Sequence, residues 1–293
     1  MNGLVLIDKP SGCTSHDIVD RWRKLAKTKR VGHLGTLDPM ATGLLILVTG
    51  NATRLAQFFN KDEKTYEASI QFGVTSDTYD AEGEVVRTGV PPPDSLIAIE
   101  TALAQFNGHI MQTPPAVSAK KVNGVRAYKL ARQHIDVDLN PVPVYIKKIE
   151  IRGFEAPQLN LTIACSTGTY IRSIAHDLGR ALGCGALLTA LRRTHIGDYS
   201  VADAFKLDTL MVLADLGTLD SAVTATSRML PSIPSEHFDE LIEAQIRQGR
   251  DFRTSPFVVP PGTPLVKAVS RSGELIAIGQ LKIPNLYHPG TVL

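Results

Sequence analysis

Alternation of apolar and polar residues gives the clearest strand signal in the chain. In residues 64–72, KTYEASIQF, the residues Tyr66, Ala68, Ile70 and Phe72 fall on one face, which is the period-two pattern of a half-buried strand. Other apolar runs predict further strands, at residues 3–8, 44–48, 142–154 and 159–165. The segment LVKAVSRSGELIAIGQLKI near the C-terminus predicts two more, with a hairpin turn at Ser272-Gly273.

Helical spacing of apolar residues marks two amphipathic helices. One is predicted from Ser15, as its N-cap, to about Ala26; the other runs from Thr169 to Leu182 with a continuous apolar stripe. Shorter helices are predicted near residues 51–59, 94–106 (capped by Asp94) and 237–248. Asn123-Gly124 predicts a hairpin turn, followed by a basic helical stretch within residues 117–132.

A polar, proline-containing break at residues 231–235 divides the chain. We therefore predict a larger domain, residues 1–232, and a small β module, residues 233–293. No internal repeat or low-complexity tract is visible.

Composition narrows the class of protein. The 293 residues are 43% hydrophobic and 20% charged, which is typical of a globular protein. No apolar run is long enough to span a bilayer, and no signal peptide is visible. The three cysteines are scattered, which fits free thiols in the cytoplasm and argues against a structural zinc site.

The distribution of charge is more informative than the net charge of +2. Cations cluster at residues 21–30, 120–132, 147–148 and 192–193. Any one cluster is best interpreted as a solvated helix face, but the four together favour an anionic polymer as partner.

Residues 32–43, GHLGTLDPMATG, form the densest candidate site. Glycines allow close approach of a ligand, and Pro39 fixes the chain after Asp38. Asp38 is either a catalytic carboxylate on a rigid loop or a turn aspartate bonded to its own backbone; the loop alone leaves both open. The sequence lacks the Gly-Lys-Ser/Thr of a Walker phosphate loop.

Arg172 is the second candidate, because it lies in the first turn of a helix, where the dipole disfavours a cation. Either it has a fixed acidic partner, or it is an arginine whose stem covers apolar surface. Tyr66 points toward the predicted core and on its own is an ordinary core tyrosine. Lys9, in a turn between strand and helix, is a weak candidate for a phosphate or loop contact.

Together these segments resemble the TruB-type tRNA pseudouridine synthases, which modify uridine 55 in the T loop. The resemblance rests on five segments: DKPSGCTSHDIV (8–19), GHLGTLDPMATGLL (32–45), KTYEASIQFGVTSDTYDAEGE (64–84), GTYIRSIAHDLG (168–179) and LRRTHIG (191–197). It implies a mixed α/β (α+β) catalytic domain around a long, mostly antiparallel sheet, and a C-terminal module similar to the PUA-type RNA-binding domain.

The resemblance also implies roles for individual residues. Asp38 is expected to be the essential aspartate, Tyr66 the ring that stacks on the target uracil, and Arg172 the partner of Asp38. His33 is expected to fill the space of the flipped base, and Leu191 to line the uracil pocket. Lys9 is expected to support the loop and, with Tyr170, to be among the residues that contact RNA.

The implied chemistry suits these residue types. The N1–C1′ bond breaks, the uracil turns, and C5 joins C1′, so there is no redox change and no cofactor or metal is expected. A carboxylate can attack C1′ or remove the C2′ proton, and the sequence does not choose between them. The expected partner is the T arm of tRNA, bound by a monomer.

Two other functions remain open at this stage. One is a non-catalytic RNA-binding or tRNA-folding protein. The other is a glycoside or nucleoside hydrolase, although such an enzyme normally needs a second catalytic carboxylate, which is not evident in the motif loops.

Overall fold

The computed structural model describes residues 1–59, 62–117 and 139–293, together with the backbone of 121–122 and 125–126. The strands are β1 Gly3–Lys9, β2 Val31–His33, β3 Thr42–Thr49, β4 Lys64–Phe72, β5 Val74–Thr75, β6 Val86–Arg87, β7 Gly108–Gln112, β8 Lys121–Val122, β9 Val125–Arg126, β10 Val142–Glu155, β11 Gln158–Cys165, β12 Ala186–Ile196, β13 Tyr199–Ser200, β14 Thr224–Ala225, β15 Ser235–Phe238, β16 Phe252–Arg253, β17 Leu265–Ser270, β18 Leu275–Ile283 and β19 Leu286–Val292. The α-helices are α1 Ser15–Leu25, α2 Leu96–Ala104, α3 Ile171–Ala181, α4 Leu207–Asp215 and α5 Glu240–Arg247. Short 3₁₀ helices cover Gly50–Phe59, Val201–Asp203, Leu219–Ala222 and Thr226–Arg228.

One large sheet runs through the molecule in the order β14-β1-β3-β12-β4-β11-β10-β7, with β2 added on β3 and β13 on β12. The pairing of β12 with β3 is parallel, and the other pairings in this sheet are antiparallel. The expected mixed α/β fold with a long, mostly antiparallel sheet is therefore confirmed.

Strand β4 has one apolar face, and helix α3 packs against it. Its alternate residues Tyr66, Ala68, Ile70 and Phe72 are buried, as the alternation predicts. The apolar stripe of α3 joins them in one core cluster, which places the N-terminus of α3 against the sheet.

The C-terminal segment forms a second, five-stranded sheet in the order β15-β17-β18-β19-β16. The predicted hairpin is present, because β17 and β18 are antiparallel on either side of Ser272-Gly273. This sheet shares an apolar cluster with the larger one, in which Leu275 and Ile278 join Leu55 and Met229. The boundary near residue 232 stays a prediction.

Two predicted helix caps and one helix type are wrong, and one strand was not predicted. The N-cap of α1 is Thr14, in a capping box with Asp17, and not Ser15. Helix α2 begins at Leu96 after Ser95, so Asp94 is not its cap. The helix predicted at residues 51–59 is a 3₁₀ helix. The patterns did not predict β12.

Strands β8 and β9 pair on either side of Asn123-Gly124, with Lys121 opposite Arg126. The basic helical stretch predicted after that turn lies outside the described residues. Within the described ranges, no helix is both long enough and apolar enough to cross a membrane.

Candidate active site

Asp38 lies on a loop, residues 34–41, that joins β2 to β3. The Nζ of Lys9, at the end of β1, donates to the carbonyl oxygens of Pro10 at 2.9 Å, Pro39 at 3.1 Å and Ala41 at 2.6 Å. Lys9 is fully buried, and burial lowers the pKa of its ammonium group. The lysine therefore supports the loop, and the expectation that it also contacts RNA stays a prediction.

Two further side chains fix the same loop. The hydroxyl of Ser15 accepts from the backbone N–H of Leu37 at 2.8 Å and lies 3.1 Å from the carbonyl oxygen of Leu37. From β12, the buried Arg193 donates to the carbonyl oxygens of Gly35 at 3.0 Å and Leu44 at 2.8 Å. Asp38 is thus held on a rigid backbone by charge-assisted bonds to main-chain carbonyls.

Arg172, the second residue of α3, faces Asp38. Its Nε lies 2.9 Å from Oδ2 of Asp38 and its Nη2 lies 3.1 Å from Oδ1, which is the bidentate geometry of a strong ion pair. The guanidinium also donates to the carbonyl oxygens of Thr78 and Val117, each at 3.0 Å. The side chain of Arg172 is 5% exposed and that of Asp38 is 34% exposed, so the carboxylate remains accessible. The acidic partner predicted for Arg172 is observed.

A second carboxylate, Asp80, shares Arg172. Its Oδ2 lies 3.4 Å from Nε of Arg172, and its Oδ1 accepts from the hydroxyl of Thr78 at 2.6 Å and the backbone N–H of Glu82 at 3.0 Å. Asp80 is 3% exposed. The network Asp38–Arg172–Asp80 therefore joins a reachable carboxylate to a buried one through a single guanidinium.

Asp80 was not predicted as a site residue, although it lies within the segment that carries the resemblance. The segment SDTYDAEGE looks like a solvated acidic loop, and nothing local marks one acid as buried. The neighbouring Tyr79 has a positive φ of 64° and stacks on His176 with ring centroids 3.8 Å apart, which turns this loop toward α3.

Glu82 adds a third carboxyl group near the same guanidinium. It accepts from the backbone N–H of Met40 on the Asp38 loop. Partial burial, and then the charges of Asp80 and Asp38, raise the pKa of Glu82. The site is therefore locally acidic, and Arg172 is a cation in direct contact with both Asp38 and Asp80.

Tyr66 and Leu191 belong to the buried cluster beside this network. Burial raises the pKa of the Tyr66 phenol, and the nearby positive charge of Arg193 opposes that rise. Tyr66 is 7% exposed and Leu191 is 8% exposed. Tyr66 lies on β4, and Leu191 lies on the neighbouring strand β12, which also carries Arg193.

The remaining predicted residues lie on neighbouring elements. His33 is half-buried at the end of β2 and pairs with Leu47, so the first two residues of the segment 32–43 belong to a strand and the loop begins at residue 34. Tyr170 is half-buried and is the N-cap residue of α3. Its backbone N–H and carbonyl both bond to the side chain of Gln112.

The basic clusters are less free than the sequence suggested. Lys147 pairs with Glu63, Lys148 with Glu150, and Arg192 with Asp8, while Arg193 is buried. The cluster at residues 120–132 lies outside the description, apart from the backbone of its two short strands. In the cluster at residues 21–30, Arg23 pairs with Asp20, and the anionic partner stays a prediction.

A cleft of about 900 Å³ borders the loop, with Ser11, Met40, Leu191 and Arg192 among its lining residues. Within residues 1–59, 62–117 and 139–293, no group of three or more His, Cys, Asp or Glu side chains is arranged to hold a metal ion.

Comparison with known proteins assigns two family models to this chain. The model of the TruB family pseudouridylate synthase (N terminal domain) matches residues 23–171. The model of the tRNA pseudouridylate synthase B C-terminal domain matches residues 172–230.

Curated relatives agree with that match. The tRNA pseudouridine synthase B of Solibacter usitatus (strain Ellin6076) is 49% identical over 293 residues, which is 100% of each chain. That of Paenarthrobacter aurescens (strain TC1) is 41% identical, over 99% of this chain and 96% of the relative. Among solved structures, an H/ACA ribonucleoprotein bound to a substrate RNA containing 2′-deoxyuridine matches with a TM-score of 0.71 and 22% identity, over 99% of this chain and 84% of that one; this likeness concerns the fold.

Proposed function

This chain belongs to the TruB family of pseudouridylate synthases, and on that premise we propose that it converts uridine 55 in the T loop of tRNA to pseudouridine. The observation that carries the proposal is the pairing of Asp38 with Arg172 at 2.9 Å on a rigid loop, in a family whose curated members are named tRNA pseudouridine synthase B.

Asp38 is the proposed catalytic carboxylate. It is the accessible acid of the network, and its backbone is fixed on both sides by Lys9 and Arg193. Such a group can attack C1′ or remove the C2′ proton. Arg172 orients the carboxylate, because two of its nitrogens meet the two carboxylate oxygens.

Tyr66 and Leu191 are the proposed walls of the uracil pocket. Both lie in the apolar cluster beside the Asp38 loop, and an aromatic ring suits a base taken out of its stack. We propose that His33 fills the vacated space in the T loop, acting from β2, and that Tyr170 contacts RNA from the start of α3.

We further propose that residues 1–232 form the catalytic domain and residues 233–293 an RNA-binding module. The chain is proposed to act in the cytoplasm as a monomer without metal or cofactor. The isomerisation has no redox step, and the proposed roles are filled by side chains.

The test is release of tritium from tRNA labelled at uridine C5. Wild-type protein should release it from tRNA without producing free uracil, and a tRNA with cytidine at position 55 should be inert. Asp38→Asn should keep tRNA affinity but lose more than about 99% of turnover, because the amide is neither nucleophile nor base. Asp94→Asn, at an exposed aspartate before α2, is the matched control and should be fully active.

Other results would support the alternatives. Free uracil would indicate a hydrolase, and tRNA binding without tritium release would indicate an RNA-binding or RNA-folding protein. Turnover of Asp38→Asn above a few per cent would remove Asp38 from the mechanism.

A further inference from the structure

The backbone at the start of α3 is bonded to the side chain of Gln112. The Nε2 of Gln112 donates to the carbonyl oxygen of Tyr170 at 3.0 Å, and its Oε1 accepts from the backbone N–H of Tyr170 at 2.8 Å. Gln112 is 2% exposed and is the last residue of β7, at the edge of the large sheet. Both polar atoms of this buried amide thus form hydrogen bonds with the backbone of one residue, Tyr170.

Helix α3 needs such a support at this end. Its N-cap residue, Tyr170, makes no side-chain capping bond, and a helix N-terminus disfavours the positive charge of Arg172 in its first turn. Two neighbouring contacts reinforce the clamp. The hydroxyl of Ser173 donates to the carbonyl of Thr113 at 2.8 Å, and Arg172 donates to the carbonyl of Val117 at 3.0 Å.

The contacts connect Tyr170, Arg172 and Ser173, at the start of α3, to one short segment, residues 112–117. Arg172 lies between Tyr170 and Ser173, so rotation or slippage of the first turn would move its guanidinium relative to Asp38. The ion pair at 2.9 Å tolerates little displacement, because a catalytic group misplaced by about 1 Å costs on the order of 10²-fold in rate.

We propose that Gln112 is a positioning residue for the isomerisation: its amide sets the first turn of α3 and, through it, the place of Arg172 against Asp38. Gln112 itself does not touch the reacting atoms. This inference rests on the proposed function, and it assigns a role to a residue outside the site predicted from the sequence.

Gln112→Met tests the clamp with a side chain of similar volume that lacks both polar atoms. The single-turnover rate of tritium release should fall at least about tenfold, while the Kd for tRNA stays within about twofold and the thermal midpoint shows a folded protein. The split between rate and affinity distinguishes positioning from a general loss of structure.

Gln112→Glu gives a second readout, which a merely structural role would not produce. An ionised glutamate at position 112 would place a carboxylate oxygen against the carbonyl oxygen of Tyr170, where both atoms are acceptors. Burial and this repulsion both raise the pKa of the introduced carboxyl group. The neutral acid restores one donor and one acceptor. The ratio of variant to wild-type rate should therefore rise several-fold as pH falls from about 8 to about 6.

Gln105→Glu is the matched control, because Gln105 is exposed and its side-chain amide donates to the carbonyl of Ala102, at 2.8 Å, one turn back in its own helix. Its rate ratio should stay near one at every pH. Wild-type rates for Gln112→Met and Gln112→Glu would overturn the inference. So would losses that follow tRNA affinity or thermal midpoint and show no recovery at low pH. If wild-type protein releases no tritium, the proposed function fails and this inference fails with it; active wild type with unaffected variants refutes the inference alone.

Discussion

Replacing Arg172 by lysine isolates the geometry of the guanidinium from its charge. In the native protein this side chain reaches four groups: both oxygens of Asp38 at 2.9 and 3.1 Å, Asp80 at 3.4 Å, and the carbonyls of Thr78 and Val117 at 3.0 Å. Lysine keeps one positive charge but has a single nitrogen, so it cannot reproduce the planar fork.

The expected loss has two parts. At least one of the buried groups, Asp80 or a carbonyl, loses its partner, which costs about 1–3 kcal/mol of unfolding free energy. The ammonium group also fixes Asp38 by one contact where the guanidinium made two. A displacement of about 1 Å then lowers the rate by on the order of 10²-fold, equivalent to about 2.7 kcal/mol of transition-state stabilisation.

The two parts are measured separately. Urea unfolding gives the stability of Arg172→Lys, and single-turnover tritium release at saturating enzyme gives its rate. Arg180→Lys is the control, since Arg180 lies on the same helix with its side chain 76% exposed and pairs with Asp177 at 3.3 Å. Full activity of Arg172→Lys would refute the geometric account, and an equal loss in Arg180→Lys would show a general intolerance of lysine in this helix.

Two further predictions concern stability. Burial, and then the charge of Arg193, lower the pKa of Lys64 from 10.5 to about 8. Between these values the unfolded chain binds more protons than the folded one, so the free energy of unfolding should rise with pH. Lys64→Met should flatten that rise, measured by urea unfolding from pH 7.5 to 10, and an unchanged slope would contradict the prediction. A chain ending at Ser232 loses Leu275 and Ile278 from a shared apolar cluster, so its thermal midpoint should be several degrees lower. It should still modify a minimal T-arm stem-loop, but it should bind full-length tRNA more weakly. A folded but inactive truncation would show that the C-terminal sheet completes the site.

The alternation of apolar and polar residues predicted strands whose two faces differ in burial. It missed β12, whose two faces do not differ in this way. In β4 a single face is buried, so the alternation is visible. Strand β12 lies between β3 and β4, and its sequence, ALLTALRRTHI, has an apolar half followed by two arginines. Arg193 is nevertheless 1% exposed, because it bonds main-chain carbonyls of the Asp38 loop. The sequence around Arg193 does not indicate such a contact, since its partners lie far away along the chain.

The same limit applies to the site. Asp38 and Arg172 became candidates because each carries a local anomaly, a proline-fixed loop in one case and a cation at the wrong end of a helix in the other, and the family resemblance then implied their roles. Asp80 and Gln112 carry none. Their importance in the structure comes from burial and from partners far away in sequence, Arg172 and Tyr170, which one sequence does not reveal.

The loops around Asp38 are organised by buried cations and not by regular secondary structure. Lys9 donates to Pro39 and Ala41, Arg193 to Gly35 and Leu44, and Arg172 to Thr78 and Val117. Each cation thereby gives these main-chain carbonyls a donor, and a buried carbonyl left without any donor would cost desolvation energy. The glycines and prolines of the motif allow the turns, and the cations fix them. A substitution that keeps the charge but changes its geometry should therefore disturb the loop more than one that alters an exposed loop side chain.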